Sequence, residues 1–344
     1  MSQTISFSSD YMEGAHPAIL ERLQQTNMEQ ISAYGRDPWS DSARTRIRAA
    51  CEAPEADIFF LVGGTQTNLV VIDTMLRPWQ GVIAARSGHV STHEAGAIEY
   101  SGHKVIELSQ QDGKLQAATI LACLQAWQRD DNREHVVQPG MVYISQPTEQ
   151  GTLYSIRELE AISSVCRKNG VYLYVDGARL AYALGCPEND VSLPDMARLC
   201  DAFYIGGTKC GALLGEAVVF SKHDTVPGFF TMMKQHGAML AKGWVAGTEF
   251  DVLFTDDLYV ELGCRANRIA KRIRETLLEK GYRLAFASPT NQIFIEIEDE
   301  KLRQLSEKIT LGFWEHLNDE RSIMRIAVSW ATPEEHVEQL LAAL

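Results

Sequence analysis

The chain has 344 residues, of which 45% are apolar and 22% are charged, as in ordinary soluble globular proteins. Acidic residues outnumber basic ones by 45 to 32, and the net charge of −13 argues against nucleic acid or an anionic membrane surface as a partner. No leader peptide is evident, and no apolar run approaches the ~20 residues of a membrane span. Seven cysteines, an odd number without CxxC spacing, predict reduced thiols in a cytoplasmic protein.

Short apolar strands alternate with helices after an N-terminal arm, residues 1–20, that is predicted to be irregular. Helices are predicted over residues 17–27, 41–52, 155–168 and 192–199. Strands are predicted over residues 57–62, 82–85, 141–145, 171–175, 202–205 and 217–220. This alternation is typical of an α/β fold with a doubly wound sheet.

A glycine turn follows the first of these strands. The segment Gly63-Gly64-Thr65 lies between strand 57–62 and a helix that is predicted to reach Leu76. Unpaired N–H groups and the helix dipole make such a turn a site for an anion. The turn matches neither the dinucleotide fingerprint nor the Walker A loop. We therefore predict an anion site, with an ordinary strand–helix turn as the alternative.

Three histidines lie within fifteen residues: His89, His93 and His103. His89 and His93 are four residues apart, as two metal ligands on one helical face would be. A flat imidazole covering an aromatic cofactor is a second interpretation, and a surface or helix-capping role is a third. No further cluster of ligands is evident in the sequence, so no metal site is predicted.

Two later strands each end in one charged residue. Strand 171–175 is followed by Asp176, and strand 202–205 is followed by glycines and then Lys209. Open α/β sheets bind their ligands at this edge. A buried lysine can form a Schiff base with a carbonyl group, and a buried carboxylate suits the ring nitrogen of pyridoxal 5′-phosphate (PLP). The pair predicts a PLP site, although each residue alone could be a solvated lysine or a turn aspartate.

The pattern changes after residue 255. A long helix is predicted over 258–280, followed by strands over 292–297 and 324–328 and by helices over 300–317 and 333–343. We therefore predict a large doubly wound mixed-sheet domain over residues 21–255. Residues 1–20 and 256–344 are expected to form a smaller α+β domain that includes the N-terminal arm.

Together these motifs resemble the threonine aldolase and β-eliminating lyase family of fold-type I PLP-dependent enzymes over nearly the whole chain. The segment Asp176-Gly177-Ala178-Arg179 is identical to the family's Asp-Gly-Ala-Arg, and Gly207-Thr208-Lys209 is similar to its Ser-Lys segment. The glycine turn resembles its phosphate turn. Ser9-Asp10 is similar to its opening Arg-Ser-Asp, and Arg325 to its late arginine.

The resemblance implies a role for each of these residues. Lys209 would form the Schiff base and shuttle protons, Asp176 would hold the pyridinium proton, and His89 would stack on the ring and take part in acid–base steps. The phosphate group would be bound by Gly64, Thr65 and Thr208. The substrate carboxylate would be held by Ser9, Arg179 and Arg325, because arginine offers a bidentate fork.

Two segments depart from the family's pattern. Its aldolases have Asn-Thr-His-Asn-Gly where this chain has Pro-Thr-Glu-Gln-Gly, so Glu149 replaces a histidine near the substrate hydroxyl. Glu149 would then act as a base or reshape the pocket, to which Asn291 would also contribute. In place of the family's Gly-Met-Arg, Lys242 is expected to reach the phosphate group in a neighbouring subunit.

The resemblance thus implies a lyase of amino-acid metabolism that cleaves a β-hydroxy-α-amino acid, like L-threonine or L-allo-threonine, to glycine and an aldehyde. A β-eliminating lyase that releases a keto acid and ammonia is the main alternative. An aminotransferase or a non-catalytic PLP-binding protein is also consistent with the fold. The family further implies a homodimer or homotetramer with shared active sites.

Overall fold

A computed structural model describes residues 5–344 of the chain, which form two β-sheets with helices packed against them. The helices are α1 (Pro17–Thr26), α2 (Pro38–Ala50), α3 (Gly64–Met75), α4 (His89–Thr92), α5 (Ala97–Tyr100), α6 (Ala117–Arg129), α7 (Ile156–Asn169), α8 (Leu180–Leu184), α9 (Leu193–Leu199), α10 (Phe229–Gln235), α11 (Trp244–Leu253), α12 (Leu258–Glu279), α13 (Asp299–Leu305) and α14 (Glu334–Ala343). In this part of the chain, no helix combines the length and the apolar character that crossing a membrane requires.

The strands divide between a sheet of seven and a sheet of five. They are β1 (Ile5–Phe7), β2 (Asp57–Leu61), β3 (Gln80–Ala85), β4 (Val105–Leu108), β5 (Gln138–Ser145), β6 (Tyr172–Asp176), β7 (Ala202–Gly206), β8 (Glu216–Phe220), β9 (Arg283–Leu284), β10 (Gln292–Glu298), β11 (Ile309–His316) and β12 (Arg321–Ala327). The larger sheet has the order β2-β8-β7-β6-β5-β3-β4, and the smaller has the order β1-β11-β12-β10-β9.

The larger sheet is mixed and is buried on both faces. Strands β3 to β7 pair in parallel, whereas β8 runs antiparallel to its neighbours β2 and β7. Alternate residues of β7 enter two different cores, with Phe203 and Ile205 on one face and Ala202 and Tyr204 on the other. Such a strand reads as a continuous apolar run because helices cover both faces. The carboxyl ends of the parallel strands therefore meet at one edge.

The smaller sheet packs against one face of α12. Residues 266, 269, 270, 273 and 277 of this helix are buried in the same core as strands of the smaller sheet, at the spacing of one helical stripe. Strand β1 joins this sheet by pairing in parallel with β11, with Ile5 opposite Ile309. The N-terminal residues thus lie beside the C-terminal strands. The domain boundaries at 20/21 and 255/256 stay a prediction.

The predicted α/β class is confirmed, but two local predictions were wrong. The helix predicted over 300–317 ends at Leu305, and β11 follows it. In β11, Ile309 and Leu311 are buried while Thr310 between them is exposed, which is the alternation of a strand. Residues 5–7 of the arm predicted to be irregular form β1. Both strands are stabilised by pairing with each other across the length of the chain, which local sequence does not reveal.

Candidate active site

A cavity of about 390 Å³ opens at the carboxyl edge of the larger sheet. Its walls include eight of the residues singled out from the sequence: Gly64, Thr65, His89, Glu149, Asp176, Arg179, Thr208 and Lys209. A cavity of about 450 Å³ beside α2 contains none of the predicted site residues. The chemistry-bearing side chains therefore converge in the cavity at the strand ends, as expected for an open α/β sheet.

Asp176 is the last residue of β6 and is only 4% exposed. Its carboxylate accepts hydrogen bonds from the hydroxyls of Tyr143 and Tyr204, each at 2.6 Å, and from the Asn68 amide at 3.0 Å. Burial alone would raise the pKa of Asp176, but the positive charge on a protonated His89 and these hydrogen bonds hold that pKa below its ordinary value. Asp176 is thus a fixed anion at the base of the cavity.

Lys209 follows β7 and enters the same cavity. Its ammonium nitrogen lies 5.8 Å from the ring centroid of Tyr11, and its backbone carbonyl accepts the Tyr182 hydroxyl at 2.5 Å. Burial, together with the positive charge of Arg179, lowers the pKa of Lys209. A larger share of this amine is therefore uncharged near neutral pH than for a solvated lysine, as nucleophilic attack requires.

His89 is held over the cavity by a partner that the sequence reasoning missed. Its Nδ1 is hydrogen-bonded to Glu94 Oε1 at 2.7 Å, and the same oxygen accepts the Asn68 amide at 2.7 Å. Asn68 also donates to Asp176, so its amide links Glu94, which holds His89, to the Asp176 carboxylate. Glu94 lies five residues after His89, and Asn68 belongs to the segment after the glycine turn. The available signal was a polar Asn68 within the apolar helix α3, whereas Glu94 lies in the turn between α4 and α5 and gave none.

The two closely spaced histidines do not form a metal cluster. His89 and His93 stack with their ring centroids 5.7 Å apart, and Glu94 already occupies Nδ1 of His89. Within residues 5–344, the only group of three or more potential ligand atoms within 4.8 Å of one another consists of Asp57, His223 and Asp224. The two ring nitrogens of His223 already face these two carboxylates.

The turn before α3 presents free backbone donors to the cavity. Gly63 is the N-cap residue, and no side chain in the described part of the chain caps the helix there. The Thr208 hydroxyl accepts the Gly215 N–H at 3.1 Å, and the same N–H donates to the carbonyl of Val62, just before the turn, at 3.0 Å. A Cβ atom at Gly64 would lie 3.0 Å from the Tyr204 hydroxyl, so glycine leaves this hydroxyl free to bind Asp176. The arrangement suits an anion.

Arg179 is already engaged within the protein. Its Nε and one terminal nitrogen donate to the two carboxylate oxygens of Asp10 at 2.7 and 2.9 Å. Asp10 is fully buried and also accepts the Asn291 amide at 2.9 Å. Burial raises the pKa of Asp10, but Arg179 outweighs it and holds that pKa far below its usual range. Two nitrogens of the Arg179 fork thus orient Asp10.

Ser9 and Arg325 carry polar atoms that are buried and unpaired within the described residues, namely Ser9 Oγ and Arg325 Nε. The terminal nitrogens of Arg325 donate to the Ser8 carbonyl at 2.8 Å and to Gln292 at 3.2 Å. Arg325 therefore lies against the arm that carries Ser9. Unpaired buried donors are costly, but neither Ser9 nor Arg325 is among the residues that line the cavity, so their contact with a substrate stays a prediction.

Glu149 lies on the wall of the cavity. One carboxylate oxygen accepts the Ser145 hydroxyl at 2.7 Å and the backbone N–H of His89 at 2.9 Å. Burial raises the pKa of Glu149 in spite of these hydrogen bonds. Lys242, in contrast, is exposed and lies outside the cavity walls of its own chain. Its contact with a neighbouring subunit stays a prediction.

Comparison with known proteins identifies relatives of this chain. A sequence model of the family described as Beta-eliminating lyase matches residues 6–300. A low specificity L-threonine aldolase of Pseudomonas aeruginosa is 30% identical over 343 residues, which cover 98% of this chain and 96% of that protein. One from Saccharomyces cerevisiae is 25% identical and covers 79% of this chain and 68% of that protein.

Solved structures confirm the architecture. A threonine aldolase of Leishmania major is 44% identical, with a TM-score of 0.95 and 98% of each chain covered. An aspartate aminotransferase of Thermus thermophilus has a TM-score of 0.72 at 15% identity, and covers 99% of this chain and 90% of that one. The second likeness concerns the fold alone. Together they confirm the predicted fold-type I arrangement.

Proposed function

The chain belongs to the beta-eliminating lyase family, and within it we propose a PLP-dependent aldehyde-lyase that cleaves a β-hydroxy-α-amino acid to glycine and an aldehyde. The observation that carries this proposal is the convergence of Asp176 and Lys209 in one cavity at the sheet edge. Relatives named as threonine aldolases along their full length support L-threonine or L-allo-threonine as the substrate type. No observation on the described residues favours β-elimination or transamination.

The side chains present fit PLP at three points. Asp176 would face the ring nitrogen, Lys209 would attach the cofactor covalently, and the uncapped start of α3 with Gly64, Thr65 and Thr208 would bind the phosphate group. When bound, the cofactor would accept the electron pair that is left when the Cα–Cβ bond of the substrate breaks. Asp176 supports this by keeping a proton on the ring nitrogen, since its own pKa lies below the ordinary value.

The substrate carboxylate would be held by Ser9 and Arg325, of which Ser9 Oγ and Arg325 Nε have no partner among the described residues. Arg179 contributes in a different way from the bidentate contact that the family resemblance implies. Because it binds Asp10 through two nitrogens, it fixes the arm on which Ser9 lies and leaves one terminal nitrogen for the substrate. Together these contacts to the substrate carboxylate would orient the bond to be broken relative to the cofactor ring.

Glu149 is our candidate for the base that accepts the proton of the β-hydroxyl group. Ser145 and the His89 backbone fix one of its oxygens, so the other can face the substrate. A raised pKa brings the carboxyl group closer to the working pH, which favours general base catalysis. His89, fixed by Glu94, would cover the cofactor ring and assist proton transfer.

We also infer a cytoplasmic homodimer or homotetramer with shared sites. The seven cysteines are all unpaired, as in a reducing compartment. Lys242 is exposed, as a residue that serves a neighbouring subunit must be in an isolated chain. The division into residues 21–255 and residues 1–20 with 256–344 is part of the same proposal.

Product analysis of the PLP-loaded protein with L-threonine and with L-allo-threonine tests the reaction. We expect glycine and acetaldehyde in equal amounts. A keto acid and ammonia without aldehyde would replace this assignment by β-elimination. An amino acid formed from an added keto acid would replace it by transamination.

A further inference from the structure

A second buried carboxyl group borders the cavity and has no part in the chemistry described above. Glu216, the first residue of β8, is 3% exposed. In the sheet it lies opposite Leu61 of β2 on one side and Gly206 of β7 on the other. Strand β2 leads into the turn before α3, and β7 leads into Thr208. Glu216 therefore lies between the two segments that form the proposed phosphate subsite.

The surroundings of Glu216 offer little support for a permanent negative charge. The groups that favour its charged form are the cation of Lys209, the side chain of Thr208 and the Gly207 N–H, which one carboxylate oxygen accepts at 3.2 Å. Asp176 acts on it as a like charge. The remaining titratable groups that interact with it are the buried hydroxyls of Tyr174, Tyr204 and Tyr259. Burial raises the pKa of Glu216 to about 8, although Lys209 opposes the shift.

A phosphate group in this subsite would further favour the protonated form of Glu216 over the ionised form. It would bring negative charge beside the carboxylate, and like charges favour the protonated form of an acid. Attachment of the cofactor would also engage the amine of Lys209, which is the favourable cation in the free protein. A protonated carboxyl group gains an O–H donor, which a phosphate oxygen can accept.

We propose that Glu216 is a proton-binding part of the phosphate subsite, carrying a proton when the phosphate group is bound and taking that proton from solvent wherever it is ionised in the free protein. This inference rests on the proposed function, because that function places a phosphate group between α3 and Thr208. The protonated carboxyl group can then donate a hydrogen bond to the phosphate group without placing a second negative charge in the subsite.

Linkage sets the direction of the pH dependence. A ligand that raises the proton affinity of Glu216 must itself bind more tightly when Glu216 is protonated. The affinity for PLP should therefore fall as the pH rises above the pKa of about 8 in the free protein, by up to about tenfold per pH unit. A glutamine at this position keeps the shape but cannot titrate.

Glu249 provides a matched control. It lies in α11, is fully buried, and accepts the Leu214 N–H at 3.3 Å, so it supports the same loop as Glu216. Burial likewise raises its pKa to about 8, but Glu249 does not line the cavity. Its proton should not respond to the phosphate group.

Calorimetric titration of the cofactor-free, full-length protein with PLP at pH 8.5, in two buffers of different ionisation enthalpy, counts the protons taken up. We expect wild type and Glu249→Gln to take up about 0.5 to 0.8 proton more than Glu216→Gln, because that is the range set by the ionised fraction of Glu216 at pH 8.5. Equal proton counts with normal visible absorbance of the bound cofactor would overturn this inference and leave the proposed function intact. If wild type binds no PLP, both fail.

A second titration needs no variant, in case Glu216→Gln does not fold. Pyridoxal shares the ring and the aldehyde of PLP but lacks the phosphate group. Wild type should take up more protons with PLP than with pyridoxal at pH 8.5, by the same fraction of a proton. An equal uptake with the two ligands would contradict a role for Glu216 in the phosphate subsite.

Discussion

At the scale of single residues, the site depends on keeping one carboxylate charged inside the protein. Asp176 achieves this through the charge of His89 and through hydrogen bonds from two tyrosine hydroxyls and the Asn68 amide. Glu249, whose carboxylate accepts backbone N–H groups alone, shows the contrast, because burial raises its pKa to about 8. The donors around Asp176 therefore decide its chemical role.

Replacing Asp176 by asparagine should remove the charge and keep the shape. We expect kcat to fall by at least about 100-fold, because a charge that stabilises the reacting state is lost. Steady-state kinetics measure the loss, and circular dichroism checks that the fold is retained. The variant Tyr143→Phe, which removes only one hydrogen bond to the carboxylate, serves as the milder control. Wild-type turnover in Asp176→Asn would refute the assigned role.

Glu149 allows a prediction about pH. A general base must be ionised, so kcat/KM should rise with pH through the pKa of Glu149, which burial places above the ordinary value. Glu149→Gln should abolish this acidic limb and lower kcat by about 10²- to 10⁴-fold, while the bound cofactor keeps its visible absorbance.

The variant Glu149→His separates the two roles that the sequence left open for this position. It introduces the residue type that the family's aldolases carry in the corresponding segment. If Glu149 acts as a base, the variant should recover part of the activity that Glu149→Gln loses. Equal activities of the two variants would instead assign Glu149 to the shape of the pocket.

At the scale of elements, the position of α3 links the phosphate subsite to Asp176. The first residue of this helix, Gly64, approaches the Tyr204 hydroxyl so closely that a Cβ atom would lie 3.0 Å from it. The same hydroxyl donates to Asp176 at 2.6 Å. A displacement at the start of α3 is therefore transmitted to the opposite end of the cofactor site.

Gly64→Ala should weaken PLP binding by about tenfold, since a displaced Tyr204 loses a hydrogen bond to a charged group. Absorbance titration measures the dissociation constant. Tyr204→Phe removes the same hydrogen bond without a steric change and should have a similar effect. Because both variants act on one contact, their effects should not add in the double variant. Full additivity would show that Gly64 acts independently of Tyr204.

Some of these elements could be predicted from the sequence, and others could not. Strands 171–175 and 202–205 were predictable because each is a continuous apolar run that ends in glycine and a charged residue. Strand β11 was not, since its register with β1 joins residues about three hundred positions apart. The pairing of Asp10 with Arg179 was not predicted for the same reason. Arg179 was identified as a site residue and Asp10 as the neighbour of Ser9, but not as partners. Glu216 directly precedes the predicted strand 217–220 and was not singled out.

At the scale of the whole molecule, a shared active site predicts complementation between subunits. Lys209→Ala removes the attachment point, and Lys242→Ala removes the residue that we expect to serve the neighbouring site. A dimer of one Lys209→Ala chain and one Lys242→Ala chain has one site in which both lysines are present. Unfolding and refolding an equal mixture should thus restore about a quarter of wild-type activity, since half of the dimers are mixed.

Activity assays before and after mixing measure this recovery, and size-exclusion chromatography reports the oligomer. The two homogeneous variants treated in the same way are the controls. Activity that never exceeds their average would show that each chain uses its own Lys242, or that Lys242 does not contact the phosphate group.

The contact between Asp10 and Arg179 has a consequence for the order in which the protein is completed on the ribosome. Every residue proposed to hold the cofactor within one chain lies before residue 221 and is synthesised first. The arm that carries Asp10 is synthesised earlier still. Its strand β1 can pair only after β11 has been synthesised, and Asp10 can accept its hydrogen bond only after Asn291 has been synthesised. A nascent chain can thus acquire its cofactor residues long before it can hold a substrate. A chain that ends before residue 291 therefore lacks the amide that orients Asp10 in the finished protein.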